Sequence, residues 1–336
     1  MKKATVRDVA SKAQVSTATV SRVVHGQRVR PGVKERVEAA MAALQYRPNL
    51  AARNLRTNAS GIIACVIRGL LMPELSPFIR AAESELRAAG YTLLLASSNE
   101  EAETQKELIE RIMRQGVDGL LFTATSDEGN VLKNTMENIG LPTVLLDREA
   151  DFLADSSVVD HQNGIRLAVD YLASLGHRRI CLLTVPQSMR PGRERVLAFN
   201  HALAANGIAA DEAIIQDHFL DGAQAALGVA QLLESANPPT AIISGGMTLL
   251  SSVLRATNML GRKIPQDLSI VAGCDSELAE IFTPSITTIR WDVWQWGTIS
   301  ARLLLERIGA KAPLEKRQWI MPTELVVRNS CMRIHR

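Results

Sequence analysis

Two hydrophobic rhythms divide the chain. Between residues 4 and 46 apolar positions recur at the three- and four-residue spacing of amphipathic helices, whereas from Gly61 onward short unbroken apolar runs alternate with amphipathic stretches. In the first part, Thr5 is placed to cap a helix from Val6 to about Lys12, and Asp8 can reach back to its free amides. Ser16 caps a second helix, Thr17 to Val24, whose Val20, Val23 and Val24 share a face. Only Ala13, Gln14 and Val15 separate the two. A third helix follows Pro31 with the stripe Val33, Val37, Ala40, Met41 and Leu44. Neither short helix is stable alone, but packed on the third each can persist, leaving Thr17, Ala18, Ser21 and Arg22 exposed on the second. That is the helix-turn-helix plan, in which the second helix enters the major groove of DNA.

The second rhythm starts with the strand GIIACVI, a helix over 76–89 closed by Gly90, the strand YTLLLA, a helix over 101–114 closed by Gly116, VDGLLF, a helix near 127–139 and PTVLLD. It restarts after Asp160 with a helix over 163–175, RICLLT, a helix near 193–205, a strand over 213–216, a helix over 222–234, AIISG, a helix over 248–260 and LSIVAGC. A late helix over 292–308 and strands at 317–320 and 324–328 complete the sheets. Unbroken apolar strands alternating with amphipathic helices make parallel sheets covered on both faces. The expected class is therefore α/β: a small all-α head followed by two doubly wound lobes.

Charge sharpens the division. Residues 1–60 hold 12 Lys or Arg against Asp8, Glu35 and Glu38, a balance of +9, while the remaining 26 basic and 32 acidic residues give −6. A basic head on an acidic body is the footprint of a module that meets a polyanion; a merely solvated basic surface is the competing reading. Asn49 can cap the stretch LAARNLR, which has too few apolar residues for a core and is expected to be disordered by itself. The start MKKATVRDVA has no apolar stretch behind it and no run is long enough to cross a bilayer, which points to the cytoplasm and away from a membrane. Cys65, Cys181, Cys274 and Cys331 form no CxxC pair, so neither a disulfide framework nor a metal site is indicated.

The stretches TVRDVASKAQVSTATVSRVV, VEAAMAALQYRPN and ARNL resemble the DNA-binding head of the lactose/galactose repressor family of bacterial transcription regulators. The resemblance implies a helix-turn-helix domain over 1–48, a hinge helix and linker over 49–60, and a periplasmic-binding-protein-like effector and dimerisation domain over 61–336. In the last, the family's three crossings imply lobe 1 at about 61–160 and 292–321, and lobe 2 at about 161–291 and 322–336. Thr17, Ala18 and Arg22 then lie over base edges, where short side chains suit a thymine methyl and arginine is bidentate to guanine, while Thr5, Ser16 and Ser21 hold phosphates. The hinge pairs with its twin in the minor groove, inserts Leu55 between base pairs and places Arg53 and Asn54 against the groove. The partners implied are a pseudo-palindromic operator, a small effector and a second copy of the chain, as a dimer or tetramer.

For the effector, Arg195 in RERVLAF resembles the family's ligand arginine, and Asp275 after LSIVAGC matches its hydroxyl acceptor; a surface ion pair and a loop cap are the respective alternatives. Other strand ends offer Thr123, Asp147, Phe219 and Trp291, although Asp147 beside Arg148 also fits a structural ion pair and Trp291 also fits a core. Where most of the family carries an Asn-Asp pair, this chain has Ser244-Gly245-Gly246, which disfavours a neutral hexose. Arg190, Arg193 and Arg195 in MRPGRER point instead to a sugar acid or sugar phosphate. GxGxxG, GxxxxGK[ST], HExxH and GxSxG are all absent, so no cofactor and no enzyme chemistry is called for. A sugar-binding transport protein and a metabolic enzyme on a doubly wound fold remain the rivals.

Overall fold

The computed structural model describes residues 4–24, 27–46, 59–70, 75–126, 140–149, 154–218, 222–312 and 314–334. It resolves into two units, 1–60 and 61–336. In the first, α1 (Val6–Ala13) opens on a reciprocal cap: Asp8 N–H donates to Thr5 Oγ1, and Thr5 N–H donates to Asp8 Oδ2 at 2.7 Å. Gln14 adopts a left-handed conformation (φ 53°) and ends the helix, and Ser16 Oγ accepts from Thr19 N–H at 3.2 Å to start α2 (Thr17–Val24). Together with α3 (Val33–Ala43), these helices close a small core on Val9, Ala10, Ala13, Val20, Val37 and Ala40. The expected mutual support of three short helices is what the packing provides.

The body holds two six-stranded sheets. The first has the order β11-β5-β4-β3-β1-β2, with β1 (Ile62–Ile67), β2 (Thr92–Ser97), β3 (Gly119–Phe122), β4 (Thr143–Leu146), β5 (Asp155–Val159) and β11 (Gln318–Met321), all parallel. Helices α4 (Leu75–Ala88) and α11 (Val293–Gly309) cover one face, and α5 (Ala102–Gln115) the other. The second sheet has the order β12-β10-β9-β8-β6-β7, with β6 (Ile180–Leu183), β7 (Ala213–Gln216), β8 (Ala241–Ser244), β9 (Ser269–Ala272), β10 (Thr287–Arg290) and an antiparallel β12 (Glu324–Val326). One of its faces packs on α6 (His161–Ser174) and α7 (Arg190–Ala205), the other on α8 (Gly222–Leu233) and α9 (Met247–Met259), with the short α10 (Glu277–Ile281) after β9.

The chain passes between sheets after β5, after β10 and between β11 and β12. Asp160 caps α6 at the first passage, its Oδ1 accepting from Asn163 N–H at 3.0 Å, and Asp292 caps α11 at the second. The late strands part company, one to each sheet. Two strands, β5 and β10, lie where no apolar run predicts one, and α7 begins three residues before its expected start.

His177 ties the end of lobe 2 together: its ring lies 2.9 Å from Thr240 Oγ1 and 3.2 Å from the Met332 carbonyl oxygen. Burial pulls its pKa below the ordinary 6.5, partly opposed by the Met332 carbonyl. The unfolded chain then binds the proton more tightly than the folded one, so this contribution is fully present above about pH 6.5 and is lost on acidification. His161, also lowered chiefly by burial, acts in the same sense. The melting temperature is expected to fall between pH 7.5 and 5.5, and H177Q to flatten that slope in a calorimetric pH series; a slope unchanged in the variant would exclude His177 as a source.

Candidate functional site

A cavity of about 140 Å³ lies beyond the carboxyl ends of both sheets. That is where open α/β sheets bind ligands, because strand ends converge there while the helices splay. Lobe 1 contributes Arg68 after β1, Thr123 after β3, and Asp147 and Arg148 after β4; lobe 2 contributes Arg195 from α7, Gly245 and Gly246 after β8, and Cys274 after β9. His161 and Trp291 stand at two of the passages, in edge-on contact with centroids 6.3 Å apart. Phe78 and Trp296 add apolar surface, their rings 4.7 Å apart.

Asp147 is the hub. Its backbone is left-handed (φ 53°), which turns the carboxylate back toward β5, where Oδ1 accepts from Val159 N–H at 3.2 Å. Oδ2 lies 2.8 Å from His161 Nε2, and Arg190 Nη1 donates to Oδ1 at 3.2 Å. Burial pushes the Asp147 carboxyl up, but His161, Arg190 and Arg148 outweigh it and hold the group ionised, far below the usual carboxylate range. Burial, aided by the positive fields of Arg195 and Arg190, lowers His161 despite the attraction of Asp147. Arg190 also donates through Nε to Glu149 at 2.9 Å and through Nη1 to the Val159 carbonyl at 3.0 Å. Arg190 is on α7 of lobe 2, whereas Asp147 and Glu149, just after β4, and Val159 of β5 belong to lobe 1, so this one guanidinium clasps the two lobes. Arg68 Nη1 to Met189 Sδ, 3.3 Å, and Ser126 Oγ to the Ser188 carbonyl, 3.2 Å, are further links between them.

Of the expected effector residues, Thr123, Asp147, Arg195, Gly245 and Trp291 meet in the cavity. Arg193 and Asp275 do not line it. Arg193 lies on α7 and donates to the Gln187 carbonyl at 3.3 Å, while Arg190 of the same helix is engaged by Asp147 and Glu149 and Arg195 reaches Thr184 Oγ1. Asp275 is held by a two-pronged pair with Arg328 at 2.8 and 3.0 Å and accepts Ser276 N–H at 3.0 Å. Its carboxylate is thus paired within the protein, and it is not among the residues that line the cavity. Phe219 falls outside the described residues, as do Arg53, Asn54 and Leu55. Sequence reasoning missed Arg68, Glu100 and His161; Arg68 was legible, since it directly follows an apolar strand, whereas His161 follows a strand that hydropathy hides.

In the head, Thr17, Ala18 and Arg22 are exposed and Ser21 half-buried on α2. Ser16 and Thr5 are exposed at the helix starts, with Thr5 Oγ1 2.8 Å from Asp8 Oδ2 and Ser16 Oγ 2.9 Å from Thr19 Oγ1. One polar helix face is thus presented to solvent on a three-helix scaffold.

Comparison with known proteins agrees with both halves. Residues 5–49 match the model for bacterial regulatory proteins of the lacI family, and residues 169–331 match a periplasmic binding protein-like domain. The ribose operon repressor of Halalkalibacterium halodurans is 31% identical over 332 residues, covering 97% of this chain and 96% of the relative. The transcriptional repressor PurR of Edwardsiella ictaluri is 31% identical over 312 residues, 92% of this chain and 91% of its own. Among solved structures, the lac repressor dimer bound to operator and the anti-inducer ONPF superposes with a TM-score of 0.84 at 27% identity, covering 98% of this chain and 100% of that one. The regulator CelR in complex with cellobiose gives 0.72, also at 27% identity, covering 97% and 99%.

Proposed function

The chain belongs to the lacI family of bacterial regulatory proteins, and we propose that it is a homodimeric, cytoplasmic repressor whose grip on a pseudo-palindromic operator is set by a small carbohydrate-type effector between the lobes. The observation that carries this reading is the pairing, in one chain, of an exposed Thr17-Ala18-Arg22 helix face with a two-lobed cavity. Two heads on a symmetric dimer read two half-sites. The hinge segment over 49–60, with Arg53, Asn54 and Leu55, is the proposed relay into the minor groove. A ligand touching Asp147 and Arg148 on one lobe and Arg195 and Gly245 on the other favours one lobe angle over another. Whatever factor it imposes on operator affinity, operator imposes on ligand affinity.

The same cavity is proposed to bind without turnover. Asp147 is held ionised by its cationic neighbours, His161 is engaged by it, and burial pushes the Cys65 and Cys181 thiols up to about 12, so none of these is poised as a nucleophile. Among the described residues no helix is long and apolar enough to cross a membrane.

Selection from a randomised duplex library with the full chain tests the reading. Enrichment of an inverted repeat is expected, with affinity falling by about a thousandfold or more between about 50 and 200 mM salt as phosphate contacts release counterions. Failure to enrich any two-fold symmetric sequence, with or without candidate ligands, would overturn it.

A further inference from the structure

We infer that Arg190 is a latch: from the first residue of α7 in lobe 2 it grips Asp147 and Glu149 of lobe 1, and so holds the lobes at the angle seen here before any effector binds. This concerns the body alone; only its consequence for operator affinity rests on the reading of the chain as a regulator. Arg190 is buried, and its guanidinium donates to Glu149 Oε1, Asp147 Oδ1 and the Val159 carbonyl, all across the boundary between the lobes. The Arg68 and Ser126 links end on a thioether and a neutral carbonyl, weaker acceptors than carboxylates. A single buried ion pair roughly balances its own desolvation. A second carboxylate and a carbonyl on the same guanidinium tip that balance toward the joined state.

Nothing in α7 itself calls for a cation at this position. A positive charge at a helix amino end opposes the helix dipole, and α7 carries no acid in its first turn and no side-chain cap at Met189. The charge is answered from lobe 1 instead. Backbone packing fixes its placement: a Cβ at residue 192 would stand 2.3 Å from the Pro186 carbonyl oxygen and 2.4 Å from that of Val185. Glycine there lets the first turn of α7 lie against the loop after β6, which presents Arg190 to Asp147 and Glu149. Asp147 links the latch to the cavity, since it meets Arg190 and His161 and also lines the space between the lobes. A ligand that competes for this carboxylate loosens the latch, and one that bridges the lobes beside it reinforces the latch.

Acrylamide quenching of Trp291 and Trp296 in the ligand-free full chain tests this, because both line the cavity and parting the lobes admits the quencher. W294F and W319F remove the exposed indoles that would mask the signal. In that background R190Q is expected to raise the quenching constant about twofold or more, as the open arrangement passes from minor to major population. E149Q, which keeps the Asp147 contact, is expected to fall between parent and R190Q. The double variant is expected to go no further than R190Q, since both changes cut one contact. A204G, which weakens α7 at its exposed far end through helix propensity alone, is expected to change nothing. Quenching unchanged in R190Q and E149Q, an additive rise in the double variant, or a rise in A204G equal to that in R190Q would each overturn the latch. Should R190Q fail to fold, E149Q alone decides, by its rise or by the absence of one. Opened lobes with unchanged operator affinity would leave the latch standing and strike the coupling of cleft to operator.

Discussion

Replacing Asp155 by alanine is expected to lower the stability of the body by about 3 kcal/mol, read as a shift of the urea midpoint at unchanged slope. Asp155 is fully buried at the start of β5 and shares its two oxygens among Arg307 Nε and Nη2, Arg317 Nη2 at 2.8 Å and the Arg317 amide at 2.9 Å. It thereby ties α11, and the edge strand β11 that follows it, to the adjoining strand β5 of the first sheet. Alanine would leave two guanidiniums around an empty carboxylate position. Because Arg317 is 36% exposed it can turn to water, which keeps the loss at the lower end of what breaking a buried pair costs. Burial raises the Asp155 carboxyl, but its hydrogen bonds to Arg307 and Arg317 draw it below its ordinary value. A depressed folded pKa means that this stabilisation is present above the unfolded pKa and disappears as pH falls through the folded one. The gap between D155A and the parent should therefore close in acid. A variant as stable as the parent at pH 7 would show that the cluster contributes nothing net.

The same strand explains where sequence reading stopped. Periodicity located β1, β3, β4, β6, β8 and β9 because each is an unbroken apolar run buried on both faces. In β5, Asp155, Ser156 and Ser157 are as buried as any valine, yet hydropathy gives no sign of it. Their polar atoms are met from other elements: Ser157 Oγ pairs with Ser300 Oγ at 2.7 Å, and Trp296 Nε1 donates to Ser157. The compensating partners lie 139 to 162 residues away, so no local window reveals them. Thr287 and Thr288 hide β10 in the same way, bonded to Ser330, Arg328 and their neighbours.

The head was more legible because its signals are local. Caps, a short turn and one apolar stripe fix three helices within forty residues, and the exposed face follows by subtraction. In the cavity, residue types were legible but their company was not. Arg195 and Asp275 both stand near strand ends in lobe 2, and sequence gives no reason to separate them. Arg328, from the far end of the chain, claims Asp275, while Gly245 opens room for Arg195. Likewise Arg190 reads as a ligand-binding cation until α7 is seen to begin at that residue, which aims it across the passage at Asp147 and Glu149. Long-range ion pairs, which decide whether a charged side chain is available, are what local spacing cannot supply.

Arg22→Ala is expected to remove most of the operator's sequence preference while leaving the fold and the ligand affinity as they are. Arg22 is exposed in the last turn of α2, and the head's core is built from Val9, Ala10, Ala13, Val20, Val37 and Ala40, so truncation costs the fold little. A bidentate arginine contributes about 1–3 kcal/mol of discrimination against the wrong base. A dimer places one in each half-site, well separated and hence additive, giving about 2–6 kcal/mol, roughly thirtyfold to ten-thousandfold in the specific affinity. Affinity for random duplex should change far less, because phosphates distributed over the whole head supply it. Arg22→Lys separates the two effects: it keeps the charge and loses the planar fork, so nonspecific binding should survive and discrimination should not. Anisotropy titrations with the selected repeat and with a scrambled duplex measure both. If R22A weakened the two duplexes by the same factor, Arg22 would be a phosphate contact, and the reading of bases would fall to Thr17 and Ala18. If ligand affinity fell alongside, head and body would not be the separate modules that their independent cores imply.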